Sequence, residues 1–123
     1  MARKIQIKIG QVEAIAELNE TRTAQAIWEA LPITGEVDLW GEEIYFPIPL
    51  VTEPENAREL VNIGDIAYWP EGNAMCIFLG KTPVSKGSEI RAASPVNIIG
   101  RIEEGQKLLG RIKEGDKITV RRR

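Results

Sequence analysis

Ile5, Ile7 and Ile9 alternate with Lys4, Gln6 and Lys8, and beyond Gly10-Gln11 the alternation resumes through Val12, Ala14 and Ala16. A period of two on both sides of a Gly-X pair predicts a β-hairpin with a two-residue turn. That loop length sets Ile9 opposite Val12, Ile7 opposite Ala14 and Ile5 opposite Ala16, with every apolar side chain on one face. On the other face Lys8 meets Glu13 and Lys4 meets Glu17, opposite charges across the ladder. A slip of one residue would break both patterns at once.

The period then changes. Ala24, Ile27, Trp28 and Leu31 recur at helical spacing, Asn19 or Thr21 can cap the helix, and Pro32 ends it. Two short strands follow, 36–40 and 43–46, pivoting at Gly41, and Pro47 and Pro49 mark an edge or an exit. The Glu-rich stretch 53–62 reads as a helical turn on the surface. Strands 66–69 and 74–79 flank a Pro70-Glu71-Gly72-Asn73 turn. The second of them is apolar at every position, which predicts that both its faces are covered. Residues 81–89 form a polar loop, a strand runs from Val96 to Ile102, a short helix covers 104–112, and Lys117–Arg121 closes as a strand. Eight strands without a βαβ rhythm predict a mainly β fold. Its expected form is a closed eight-stranded antiparallel barrel capped by one full and one short helix, in a single domain over 1–123.

Composition narrows the function classes. The chain has 123 residues, 43% hydrophobic and 28% charged, enough for one packed core. With a net charge of −2 there is no global field toward nucleic acid or anionic lipid, and neither is an expected partner. Arg121-Arg122-Arg123 reads as a solvated tail. The longest apolar run, 74–79, is too short to span a bilayer, and no signal-peptide core precedes the first strand. A cytoplasmic protein is the simplest expectation. The single cysteine sits inside the apolar run and reads as an inert buried thiol. There is no histidine, which removes the usual neutral-pH base, the Ser-His and Cys-His nucleophiles and histidine metal sites. The abundance of Ile, Glu, Lys and Arg fits a thermophilic source.

The order of elements resembles the cyclophilin fold over nearly the whole chain. Trp40-Gly-Glu-Glu-Ile-Tyr-Phe46, Ile63-Gly-Asp-Ile-Ala-Tyr-Trp-Pro70 and Ser94-Pro-Val-Asn-Ile-Ile-Gly100 resemble the small prokaryotic cyclophilin-like proteins, a family that carries a fold but no established reaction. In true cyclophilins, which are peptidyl-prolyl isomerases, the strand after the first helix bears an arginine. That arginine weakens the double-bond character behind the barrier of about 18–20 kcal/mol. A charged donor held in a dry site supplies about 3–4 kcal/mol. Here the corresponding stretch reads Glu36-Val-Asp-Leu-Trp40, without an arginine, and Met75 falls near the place of a substrate-binding glutamine. Arg58, Arg91 or Arg101 would have to reach the groove from elsewhere.

The resemblance and the aromatic residues together suggest a ligand groove built from Trp40, Tyr45, Phe46, Trp69, Met75 and Phe78. Against this stands the reading in which most of these side chains simply pack the core, since Ile44 and Phe46 share one strand face while Tyr45 takes the other. Glu42 and Glu43 read as acidic turn residues rather than a catalytic pair. Glu53, Glu55, Glu59 and Asp65 lack the spacing of a calcium loop, so no metal or cofactor is expected. Three functions remain. One is a non-catalytic module that binds a peptide or small apolar ligand in the groove. The others are an isomerase with a relocated electrostatic group, and an interaction subunit of a larger assembly covered by a protein partner.

Overall fold

The computed structural model describes residues 3–104 and 111–123. The hairpin forms as its pattern dictates: β1 (Arg3–Ile9) and β2 (Val12–Leu18) pair with Ile9 opposite Val12, Ile7 opposite Ala14 and Ile5 opposite Ala16. Lys8 and Glu13 face each other across it. Lys4, opposite Glu17, instead reaches Glu103 of the next strand at 2.9 Å.

Helix α1 (Arg22–Ala30) begins at Thr21, whose hydroxyl accepts the Ala24 N–H at 3.1 Å. Asn19 supports the cap by accepting from the Thr21 hydroxyl at 2.7 Å. The Glu55 carboxylate adds a second anchor, accepting from the Thr23 and Arg22 N–H groups at the positive end of the helix. Its carboxyl is thereby held below the usual range, chiefly by the Thr23 hydroxyl. At the other end Arg122 donates to the Trp28 carbonyl, its guanidinium 4.7 Å from the Trp28 ring centre. Arg121 and Arg122 thus end the last strand, with Arg121 donating to the Gln6 side-chain oxygen at 2.8 Å, while all three terminal arginines are exposed as expected.

The remaining elements are β3 (Ile33–Glu36), β4 (Asp38–Trp40), β5 (Glu43–Pro47), β6 (Arg58–Val61), β7 (Asp65–Trp69), β8 (Ala74–Phe78), β9 (Ile90–Glu104) and β10 (Lys117–Arg122). All pairings are antiparallel, in the order β3-β10-β1-β2-β9-β7-β8-β5-β4, with β6 set on β9. This corrects the expected closed eight-stranded barrel: the sheet has ten strands, and no ladder among the described residues joins its ends. The run 36–40 splits at Val37, whose N–H and carbonyl bond Asp116 and Gly115 at 2.9 and 2.8 Å. Before that point the chain pairs with β10, and after it with β5.

Residues 58–61 are a strand, not a helical turn. Pairing with β9 overrides the helical composition of this segment. The short helix expected over 104–112 lies for the most part outside the described residues. The described helix is not long and apolar enough to cross a membrane.

Two apolar clusters result. Ile5, Ile7, Ile44, Phe46, Met75 and Ile77 fill the inside of the curled sheet, where Ala24 and Ile27 of α1 plug it. A second cluster, with Val61, Ala67, Cys76, Phe78, Ala92 and Val96, lies on the outer face of β7 and β8. The buried Asn97 ties the helix to this layer. It accepts the Glu55 N–H at 2.9 Å and donates to the Thr23 hydroxyl and the Glu53 carbonyl.

Between β2 and β9 the backbones approach so closely that a Cβ on Gly100 would strike the Glu17 carbonyl oxygen. Gly100→Ala is expected to destabilise the fold by about 1–3 kcal/mol through overpacking. Urea unfolding checks this, and an unchanged midpoint would show that the strands separate freely.

Candidate functional site

Strand parity decides what faces outward. On β5, Ile44 and Phe46 belong to the inner core, so Glu43 and Tyr45 point the other way. On β8, Met75 and Ile77 point in while Cys76 and Phe78 point out. On β7, Ile66 and Tyr68 point in while Ala67 and Trp69 point out. The register sets Tyr45 beside Cys76, Glu43 beside Phe78, and Trp40 of β4 across from Glu43. Trp40, Glu43, Tyr45 and Trp69 thus share the outer wall, and Ala92, Ala93 and Val96 of β9 complete a pocket of about 150 Å³.

The aromatic walls are held in place. The Trp69 indole N–H donates to the Ser94 hydroxyl. Its ring lies flat over Gly72, where any Cβ would collide with it. Tyr45 meets Trp69 edge to face, ring centres 6.4 Å apart and planes at 85°, an arrangement favoured by the ring quadrupoles.

Glu43 is the unusual group. It is only 6% exposed. Burial pushes its carboxyl up to about 7, opposed only by a hydrogen bond from the Cys76 thiol. The Cys76 thiol is itself pushed well up by burial and then by Glu43. The Tyr45 hydroxyl is raised by burial, with Asp38, Glu43 and Glu114 adding negative potential. A carboxyl poised near neutrality in a mostly apolar, aromatic pocket can accept or donate one proton, or balance one positive charge.

Of the six expected groove residues, Trp40, Tyr45 and Trp69 line this pocket. Phe78 is fully buried in the cluster behind it, opposite Glu43. Phe46 and Met75 are corrected: they pair with each other across β5 and β8 and are fully buried in the inner core. Their parity is that of Ile44 and Ile77, so neither can reach the outer wall. Glu42 is an exposed turn residue that accepts the Lys81 N–H. Glu43 is not a turn residue. It shares the parity of Tyr45, and that signal could have placed it at the site. Ala92 and Ala93 carry no comparable signal, because β9 begins at Ile90, ahead of Pro95.

No arginine lines the pocket among the described residues. Arg91 is occupied by Glu89 and Glu59, at 2.7 and 3.4 Å. Arg58 donates to the Leu60 carbonyl, and Arg101 to the Ile63 carbonyl beside Asp65.

Fold and site together define a mainly antiparallel β protein with a small aromatic pocket, floored by an acid, on the outer face of its curled sheet. The cyclophilin-like family model matches residues 3–121, and the chain belongs to that family. It is 39% identical to the hypothetical protein AF2241 from Archaeoglobus fulgidus, with a TM-score of 0.85 over 99% of this chain and 95% of that one. It also resembles McbB, solved in complex with tryptophan, at 16% identity and a TM-score of 0.73. That match covers 97% of this chain and 44% of McbB, and is a likeness of fold. No curated protein matches the chain.

Glu43 binds more protons folded than unfolded between pH 4.5 and about 7. Its contribution to stability therefore falls as the pH rises through that window, by on the order of 2–3 kcal/mol. Glu43→Gln is expected to remove this slope and to leave the protein more stable than the parent above the window. Unfolding midpoints measured across the window check it, and parallel curves for the two proteins would refute it.

Proposed function

We propose that this protein is a non-catalytic binding module whose outer-wall pocket receives one ring or compact head group of a peptide or small ligand. The observation that supports this most is the pocket itself. Three aromatic side chains, two of them fixed against each other, surround a space of about 150 Å³. A space of that size holds roughly one benzene. Mostly apolar walls with one placed polar group are the usual make-up of a ligand site. Isomerase chemistry calls for a positive donor near the prolyl amide, and the charged residue at this pocket is an acid. A cytoplasmic setting fits the buried free thiol of Cys76.

NMR titration with proline-containing peptides and small aromatic ligands tests the reading. Shifts are expected at Trp40, Tyr45, Trp69 and the Ala92–Val96 segment, without faster cis/trans exchange. Trp69→Ala is expected to weaken binding by about 2 kcal/mol while the protein stays folded. Accelerated exchange would replace this reading with an isomerase. Absence of shifts with any member of the panel would argue for a protein partner instead.

A further inference from the structure

We infer that this pocket is an aromatic cage for an organic ammonium group, a methylated or quaternary nitrogen, with Glu43 as its counter-charge. The inference deepens the proposed binding role and rests on it. Its first support is geometric. Tyr45 and Trp69 meet at 85° with ring centres 6.4 Å apart, and both line the pocket together with Trp40, which lies across the ladder from Glu43. A cation is attracted to such walls by the ring quadrupoles, tryptophan most strongly, and the attraction grows when water is excluded. The space of about 150 Å³ suits a compact methylated head rather than an extended chain.

Charge supplies the second support. The pocket-lining residues include one acid and no base. Asp38 of β4, directly opposite Tyr45, and Glu114, which accepts the Leu39 N–H at 3.2 Å, add to the negative potential at the Tyr45 ring. The titratable groups around Glu43 are the Cys76 thiol from β8 and Tyr45 on its own strand, neither of them cationic. The pieces of β9 that cover it, Ala92, Ala93 and Val96, are apolar. A neutral apolar guest would leave the acid without a charged partner. An ammonium head satisfies both the rings and the carboxylate.

The ammonium could belong to a small free molecule or to a methylated lysine side chain, and the probes separate the two. Binding is measured by Trp fluorescence and calorimetry for choline, for its uncharged isostere 3,3-dimethylbutanol, and for one peptide in trimethyllysine and unmodified-lysine forms. Choline or the trimethyllysine peptide is expected to bind at least about tenfold more tightly than the neutral isostere. Which of the two binds better identifies the source. Glu43→Gln is expected to weaken the cation about tenfold more than it weakens the isostere. In the parent protein the cation's affinity is expected to rise with pH through neutrality, because it favours the ionised carboxylate. In the variant that rise disappears. Equal binding of choline and the isostere would overturn the cage while leaving the apolar binding site intact. Failure of every probe here, together with the peptides and aromatic ligands above, would overturn both.

Discussion

β8 has no solvent face. Every side chain from Ala74 to Phe78 is buried, so alternation sends Met75 and Ile77 into the curled sheet and forces Cys76 and Phe78 against something outside it. The rest of the architecture follows from that demand. An outer apolar row next to an inner one needs a second covering layer, and the chain supplies it with β6 and the first half of β9. β9 is long because it does two jobs in succession. Its start, with Ile90, Ala92 and Val96, covers the outer row, and its continuation pairs with β7 and β2. The loop before β6 is tied down by Asn97, which joins it to the N-terminus of α1.

The cover stops short of β4 and β5, and the pocket lies where it stops. Small side chains on β9, Ala92 and Ala93, leave room there, while Trp40, Tyr45 and Trp69 stand up around it. A stable outer wall could have been completed with another isoleucine at position 43. A largely buried carboxyl held there works against folding once it ionises. A buried carboxyl whose one partner among the described residues is a thiol marks a candidate site for binding or chemistry.

Much of this was legible in the chain. Strict alternation and complementary charges fixed the β1–β2 register, and the unbroken apolar run of β8 announced two covered faces. What local pattern could not carry was partner choice. Residues 58–61 read as helix-forming until β9 is present to pair with them. Val37 looks like any strand residue, yet it is where the chain leaves β10 for β5, and this split together with β6 is why ten strands replace eight. At the site, parity correctly separated Tyr45 from Phe46, and the same rule carried to Met75 and Glu43 would have removed one and added the other. The alanines of β9 reach the pocket only through tertiary packing, and no period marks them.

The electrostatics of this pocket differ from what proline isomerisation calls for. Lowering a rotational barrier at an amide calls for a positive donor aimed at the amide, and the guanidinium groups nearby are already held by Glu89, Glu59 and backbone carbonyls. The potential inside the pocket has the opposite sign. With Glu43 poised near neutrality, a bound positive charge would stabilise the ionised form that the empty pocket disfavours. Occupancy and folding stability would then rise together, by mass action. The cost of ionising Glu43 in the empty protein is one that a cationic guest would have to offset, which ties binding to pH.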